Sequence, residues 1–156
     1  MREKSFAAKG DAVIVTGAAG GIGSATVENL VNQGIFVFAV DKNSEELSKI
    51  LASIDPEGVL TQAIAGDVTS EKECQEVCEI AKKKGIRVKG LVNNAAVGAF
   101  NMSVESTSFE DWQRIISINL TSLFLMAKYA LPLIRSAGGG AVVNISSIHA
   151  YATSPG

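Results

Sequence analysis

Two pieces of chemistry can be read from residue type and spacing. The first is phosphate binding. The turn Thr16-Gly17-Ala18-Ala19-Gly20-Gly21-Ile22-Gly23 follows the apolar run Ala12-Val13-Ile14-Val15 and precedes a helical pattern from Ser24 to Val31. Strand, glycine turn and helix form the context in which such glycines bind a dinucleotide. Gly17 permits the tight turn, Gly21 has no side chain to hold a pyrophosphate off the backbone, and Gly23 lets the helix pack closely. The free N–H groups and positive dipole end of that helix would face the phosphates. The second is sugar recognition. Asp41 follows Gly23 by about the interval expected of an acid that accepts hydrogen bonds from the hydroxyls of an adenosine ribose. A carboxylate there repels a 2′-phosphate, so the charge pattern favours NAD over NADP. Lys42 is able to screen such a phosphate, and the alternative role for Asp41 is to cap the next helix.

The elements that must position these residues alternate along the chain. Strands are predicted at Ala12–Thr16, 35–40, 60–65, 90–93 and 141–145. Helices are predicted from about Gly21 to Asn32, stopped at Gly34, and from Ser44 to Ile54, capped by Asn43 or Ser44. A third begins after Thr69 or Ser70, with Glu73 placed for a capping box, and stops at Gly85. A fourth, long one runs from Phe109 to Arg135. This order implies right-handed crossovers and a parallel sheet covered by helices on both faces. Ligands of such sheets bind at the carboxyl ends of the strands, where strand order reverses. Gly17, Asp41, Asp67, Asn94 and Ser147 all fall at those ends.

Composition narrows the classes. At 156 residues the chain can bury a core as one domain. The net charge of −2 shows no basic stripe, which argues against nucleic acid as a partner. No signal-peptide core opens the chain, and the most apolar stretch, 120–134, is interrupted by Lys128 and Pro132, so no membrane span is expected. Cys74 and Cys78 lie one helical turn apart without further metal ligands nearby and are read as reduced helix residues, consistent with a cytoplasmic protein. No metal site is expected.

Five motifs in order resemble the short-chain dehydrogenase/reductase family, over nearly the whole chain: the glycine turn, Asp67-Val68, Asn93-Asn94-Ala95-Ala96, Asn119 within Ile118-Asn119-Leu120, and Val143-Asn144-Ile145-Ser146-Ser147. The resemblance implies a Rossmann-type doubly wound α/β fold that takes NAD. Its cofactor-binding residues would be Gly17, Gly20, Gly21, Ile22, Gly23, Asp41, Asp67, Val68, Asn94, Ala95 and Ala96. Asp67 and Val68 would meet the adenine, and Asn94 to Ala96 would pass beneath the cofactor. Helix capping is the alternative for Asp67. Ser147 is implied as the catalytic serine that holds a substrate oxygen, and Asn119 as the asparagine that orders a relay water. Asn119 has apolar neighbours and is expected to be buried, with a structural hydrogen bond inside the helix as its alternative role. Phe109, Trp112 and Ile116 are expected to pack, in a helix that builds a subunit interface in many relatives; a homo-oligomer is implied.

The chain departs from the family pattern in two places. Ala96 replaces a glycine. The Tyr-x-x-x-Lys motif is absent, because Tyr151 is followed four residues later by Pro155. The chain therefore reads as the N-terminal portion of a longer domain whose later strands and helices are missing, with a natural truncated paralogue without activity as the alternative, and it is not expected to turn over alone. The implied reaction is hydride transfer between NAD(H) and an alcohol or ketone. A non-catalytic NAD-binding sensor or scaffold is the alternative, and an S-adenosylmethionine-dependent methyltransferase is a more distant one. His149 has no acidic partner in the sequence nearby and is read as a substrate-loop or exposed residue.

Overall fold

The computed structural model describes residues 7–98 and 103–148; His149 and Tyr151 lie outside them. The strands are β1 (Ala12–Thr16), β2 (Phe36–Asp41), β3 (Thr61–Ala65), β4 (Val88–Asn93) and β5 (Ala141–Asn144). They form one parallel sheet in the order β3-β2-β1-β4-β5. The expected alternation and fold class hold. Several bounds move: β4 starts at Val88 rather than residue 90, β2 runs from Phe36 to Asp41 rather than over 35–40, β3 starts at Thr61 rather than residue 60, and β5 ends at Asn144 rather than residue 145. In the first case the pairing of β1 with β4 steps from Val88 to Gly90 and skips Lys89. Such a bulge breaks the alternation that marks a strand in sequence.

The helices are α1 (Gly21–Asn32), α2 (Ser44–Ile54), α3 (Glu71–Lys84), α4 (Phe109–Ile116) and α5 (Ser122–Ser136). Their ends follow local chemistry. Asn43 caps α2 by accepting from Glu46 N at 3.1 Å, and Ser70 caps α3 by accepting from Glu73 N at 3.3 Å. The Glu73 carboxylate reaches back past Ser70 to Asp67 N at 2.8 Å, a longer version of the expected capping box. Gly85 ends α3 in the left-handed region, φ +74°, where a side chain would be strained.

Burial splits cleanly across the sheet. Ala12 and Ile14 of β1, Phe36, Phe38 and Val40 of β2 and Leu91 of β4 pack with α3 and α5. Val13, Val15, Val37, Ala39 and Val92 pack with Val27 of α1 and Leu47 and Leu51 of α2. The two-residue period of a strand thus serves two cores at once, which is why the central strands read as unbroken apolar runs.

The single long helix expected from Phe109 to Arg135 is interrupted. Ser117–Thr121 forms a π-helical turn between α4 and α5, and Ser122 N reaches back to Ser117 O. Such a turn adds a residue and rotates the phase of every side chain beyond it, so a 3.6-residue period cannot reveal it. Phe109 and Trp112, expected to pack, are exposed. Length and composition alone would let Phe109–Ser136 cross a membrane, contrary to the expectation that no stretch would. In the fold Leu125, Met126, Ala130 and Ile134 of α5 pack against the sheet, and Lys128 pairs with Glu71 of α3 at 2.6 Å.

Phe38 is fully buried and meets Phe36 edge-on at 5.0 Å between ring centroids. Phe38→Ala should lower unfolding free energy by about 3–5 kcal/mol in urea titration, through lost burial and the cavity left behind.

Candidate functional site

Strand order reverses at β1. The chain passes from β1 to β2 and β3 on one side, then returns to β4 and β5 on the other. The loops after β1 and β4 therefore leave in opposite directions, and a crevice opens between them. A cleft of about 740 Å³ lies there. Its walls are Gly17, Gly20, Gly21 and Ile22 of the glycine turn, Val40–Lys42, Gly66–Thr69, Asn94–Val97, and Arg114, Ser117 and Ile118 across the top. All the expected cofactor residues line it except Gly23, which lies beneath the turn.

The glycines divide the labour as their positions imply. Gly17 has φ +63°, and a Cβ there would sit 2.8 Å from Ala95 Cα and 3.0 Å from Asn94 Nδ2. A Cβ on Gly23 would collide with the Gly17 carbonyl and lie 2.8 Å from Asn94 Nδ2. A Cβ on Gly21 would meet nothing within 4 Å, and Gly21 itself lines the cleft. Gly20 N donates to Gly17 O at 3.1 Å, and Ser24 N to Gly20 O at 2.8 Å. The N–H groups between them, on Gly21, Ile22 and Gly23, have no acceptor among the described residues. A helix end with free donors beside an open, side-chain-free surface is a phosphate site in its elementary form.

The β4 loop is tied to this turn. Asn94 Nδ2 donates to both Thr16 O and Gly17 O at 3.0 Å. The Thr16 hydroxyl accepts from Asn94 N at 3.0 Å and Ala95 N at 3.1 Å, and donates to Val92 O at 3.4 Å. Thr16 was not among the expected site residues, although a lone hydroxyl closing an apolar strand was a signal. Asn94 lines the cleft, but both hydrogens of its side-chain NH2 are spent on holding the two loops together.

The two acids are not helix caps, since Asn43 and Ser70 take those roles. Asp41 Oδ2 accepts from Ala19 N at 3.1 Å, and Oδ1 accepts from Asn43 N at 2.9 Å. Asp67 Oδ1 accepts from Thr69 Oγ1 at 2.7 Å and Thr69 N at 2.8 Å. These two bonds, with a smaller contribution from the positive charge of Lys42, hold its carboxyl below the ordinary carboxylate range. Asp67 therefore stays an acceptor throughout the neutral and mildly acidic range.

The expected catalytic pair is placed differently. Asn119 is exposed, not buried, and sits in the π-helical turn. Its Oδ1 accepts from Val97 N and its Nδ2 donates to Val97 O, both at 2.8 Å. The side chain thus holds one residue of the β4 loop by both backbone groups, rather than bonding within its helix. Ser147 stands exposed beyond the end of β5 and, like Asn119, is not part of the cleft wall. Arg114, Ser117 and Ile118 were missed. Their spacing marks one helical face, but only the fold places that face above the strand ends. Cys74 and Cys78 are free, and burial pushes their thiols up to about 11 and about 12, so they stay protonated. The described residues contain no cluster of three or more side chains able to hold a metal.

The sequence profile of the family described as short chain dehydrogenase matches residues 11–156. Cyclohexanol dehydrogenase of Acinetobacter sp. is 33% identical over 135 residues, covering 86% of this chain and 54% of that enzyme. The crystal structure of NAD+-bound xylitol dehydrogenase superposes with a TM-score of 0.89 at 30% identity, covering 97% of this chain and 58% of the other. A metagenomic short-chain oxidoreductase in complex with NADP superposes with a TM-score of 0.84 at 28% identity, covering 90% and 63% respectively. The chain thus spans little more than half the length of these relatives. With the strand order, the glycine turn at its switch point and a family match over nearly its whole length, this chain belongs to the short-chain dehydrogenase family.

Proposed function

We propose that residues 1–156 are part of one dinucleotide-binding domain, in an oxidoreductase that moves hydride between NAD(H) and an alcohol or carbonyl substrate. The observation that carries this reading is the cleft itself: three unclaimed N–H groups on Gly21, Ile22 and Gly23, open space at Gly21, and the Asp41 carboxylate on the same wall. Those groups suit a diphosphate next to a ribose. Asp67 and Val68 would meet the adenine, while Ala95 and Ala96 are small enough to lie under the nicotinamide half. When bound, the nicotinamide supplies hydride chemistry, and the protein supplies placement and electrostatics.

On this reading Ser147 holds the substrate oxygen by a hydrogen bond as charge develops on it. Asn119 keeps the Val97 segment in place beside the cleft. The choice of NAD over NADP rests on Asp41, because a fixed negative charge disfavours a 2′-phosphate nearby. The relatives differ here: one of those above holds NAD+ and another NADP. Phe109, Trp112, Leu120 and Phe124 leave large apolar groups exposed along α4, the π-helical turn and α5, which supports a homo-oligomer built on that surface.

Calorimetric titration should show NAD binding at least tenfold tighter than NADP; the reverse order would refute the assignment of Asp41. This 156-residue chain should bind NAD without oxidising alcohols or reducing ketones, and NAD-dependent turnover by the same chain would contradict the resemblance to enzymes that use a Tyr-x-x-x-Lys pair. Gly21→Ala should leave stability within about 0.5 kcal/mol of the parent while weakening NAD. Gly23→Ala should lower stability by about 1–3 kcal/mol, because its methyl group has nowhere to go.

A further inference from the structure

The outer limb of the glycine turn carries few bonds to the rest of the fold. Its inner limb is tied twice to β4 through Asn94. On the other side, Ala18 N donates to Val40 O at 3.1 Å, which fixes the chain as far as Ala18. Beyond that point, Gly20 N bonds only back onto the turn, to Gly17 O. Ala19 N is the one remaining donor aimed outward at the sheet, and it goes to Asp41 Oδ2 at 3.1 Å. The other oxygen of the same carboxylate is held by Asn43 N at 2.9 Å, so the group cannot swing away without giving up a second bond.

We propose that Asp41 is a positioning residue for the phosphate site as well as a sugar ligand: its carboxylate tethers Ala19 and so holds the turn in the shape that presents the N–H groups of Gly21, Ile22 and Gly23. This deepens the cofactor reading above and rests on it for the binding measurements. One consequence concerns specificity. Removing the carboxylate does two opposed things to NADP. It takes away the charge that repels the 2′-phosphate, and it frees the turn that grips the diphosphate. Asparagine separates them, because its single acceptor oxygen can still serve Ala19 N while its amide nitrogen takes the place of the oxygen that Asn43 N uses; the charge and the Asn43 bond go, and the Ala19 tether stays. Alanine loses the tether as well.

The test compares Asp41→Asn with Asp41→Ala in the same protein. Amide hydrogen exchange of Ala19 should accelerate about tenfold or more in Asp41→Ala, as loss of a bond to a charged acceptor implies, and stay near the parent rate in Asp41→Asn. Exchange in β1 should change in neither. Calorimetry should show Asp41→Asn binding NADP about tenfold more tightly than Asp41→Ala does. A role confined to the ribose predicts the opposite: unchanged Ala19 exchange in both variants, and NADP bound by Asp41→Ala at least as tightly as by Asp41→Asn. Either of those results overturns the proposal. If neither nucleotide binds the parent protein, the cofactor reading fails, and Ala19 exchange by itself then decides whether the tether exists.

Discussion

The structure turns on one close approach between two stretches of backbone. The loop after β1 and the loop after β4 meet so closely that a single methyl group on Gly17 would lie 2.8 Å from the Ala95 backbone, and one on Gly23 would strike the Gly17 carbonyl. Nothing but hydrogen can occupy either place. Asn94 then fills the remaining gap with an amide that closes two backbone carbonyls at once. Bonds of this kind are each modest, but a buried carbonyl left without a donor costs more than the bond is worth when made. The contact therefore acts as a lock whose loss would be felt in both loops.

The sheet explains why the lock sits where it does. β1 is central, buried along its whole length, and paired on both sides in parallel register. Its neighbours belong to opposite halves of the winding, so the two loops at its carboxyl end are drawn apart above the sheet while their first residues are pinned together. A crevice with a rigid floor follows from the topology. The cleft walls also draw on the ends of β2 and β3, which places Asp41 and Asp67 within the same space, and Gly66 N donates to Asp41 O at 3.1 Å to join the two strand ends.

Most of this was legible in the sequence because it is written in backbone-controlling residues. Glycines with a required conformation, caps such as Asn43 and Ser70, and apolar strands leave local marks that survive without knowledge of the fold. The π-helical turn left no such mark. Asn119 has apolar neighbours in sequence, which predicted burial, yet it is exposed and reaches a residue 22 positions away. That interaction depends on where the β4 loop runs, a tertiary fact. Arg114, Ser117 and Ile118 were unreadable for the same reason. Thr16 was overlooked because its hydroxyl serves partners 76 to 79 residues distant, and its place at the end of a strand looked like mere punctuation.

The two halves of the site differ in kind. The part suited to a dinucleotide is made mostly of peptide groups, glycines and acids already fixed by internal bonds at the ends of β1 to β4, with Arg114, Ser117 and Ile118 completing its wall. The part implied for substrate chemistry is made of side chains, and Ser147 projects from the end of an exposed edge strand whose Val142, Val143 and Ile145 region stays accessible. Preorganised binding needs rigid support around each participating group. By that standard the cleft walls are held by internal bonds on several strand ends, whereas Ser147 is exposed beyond the end of β5.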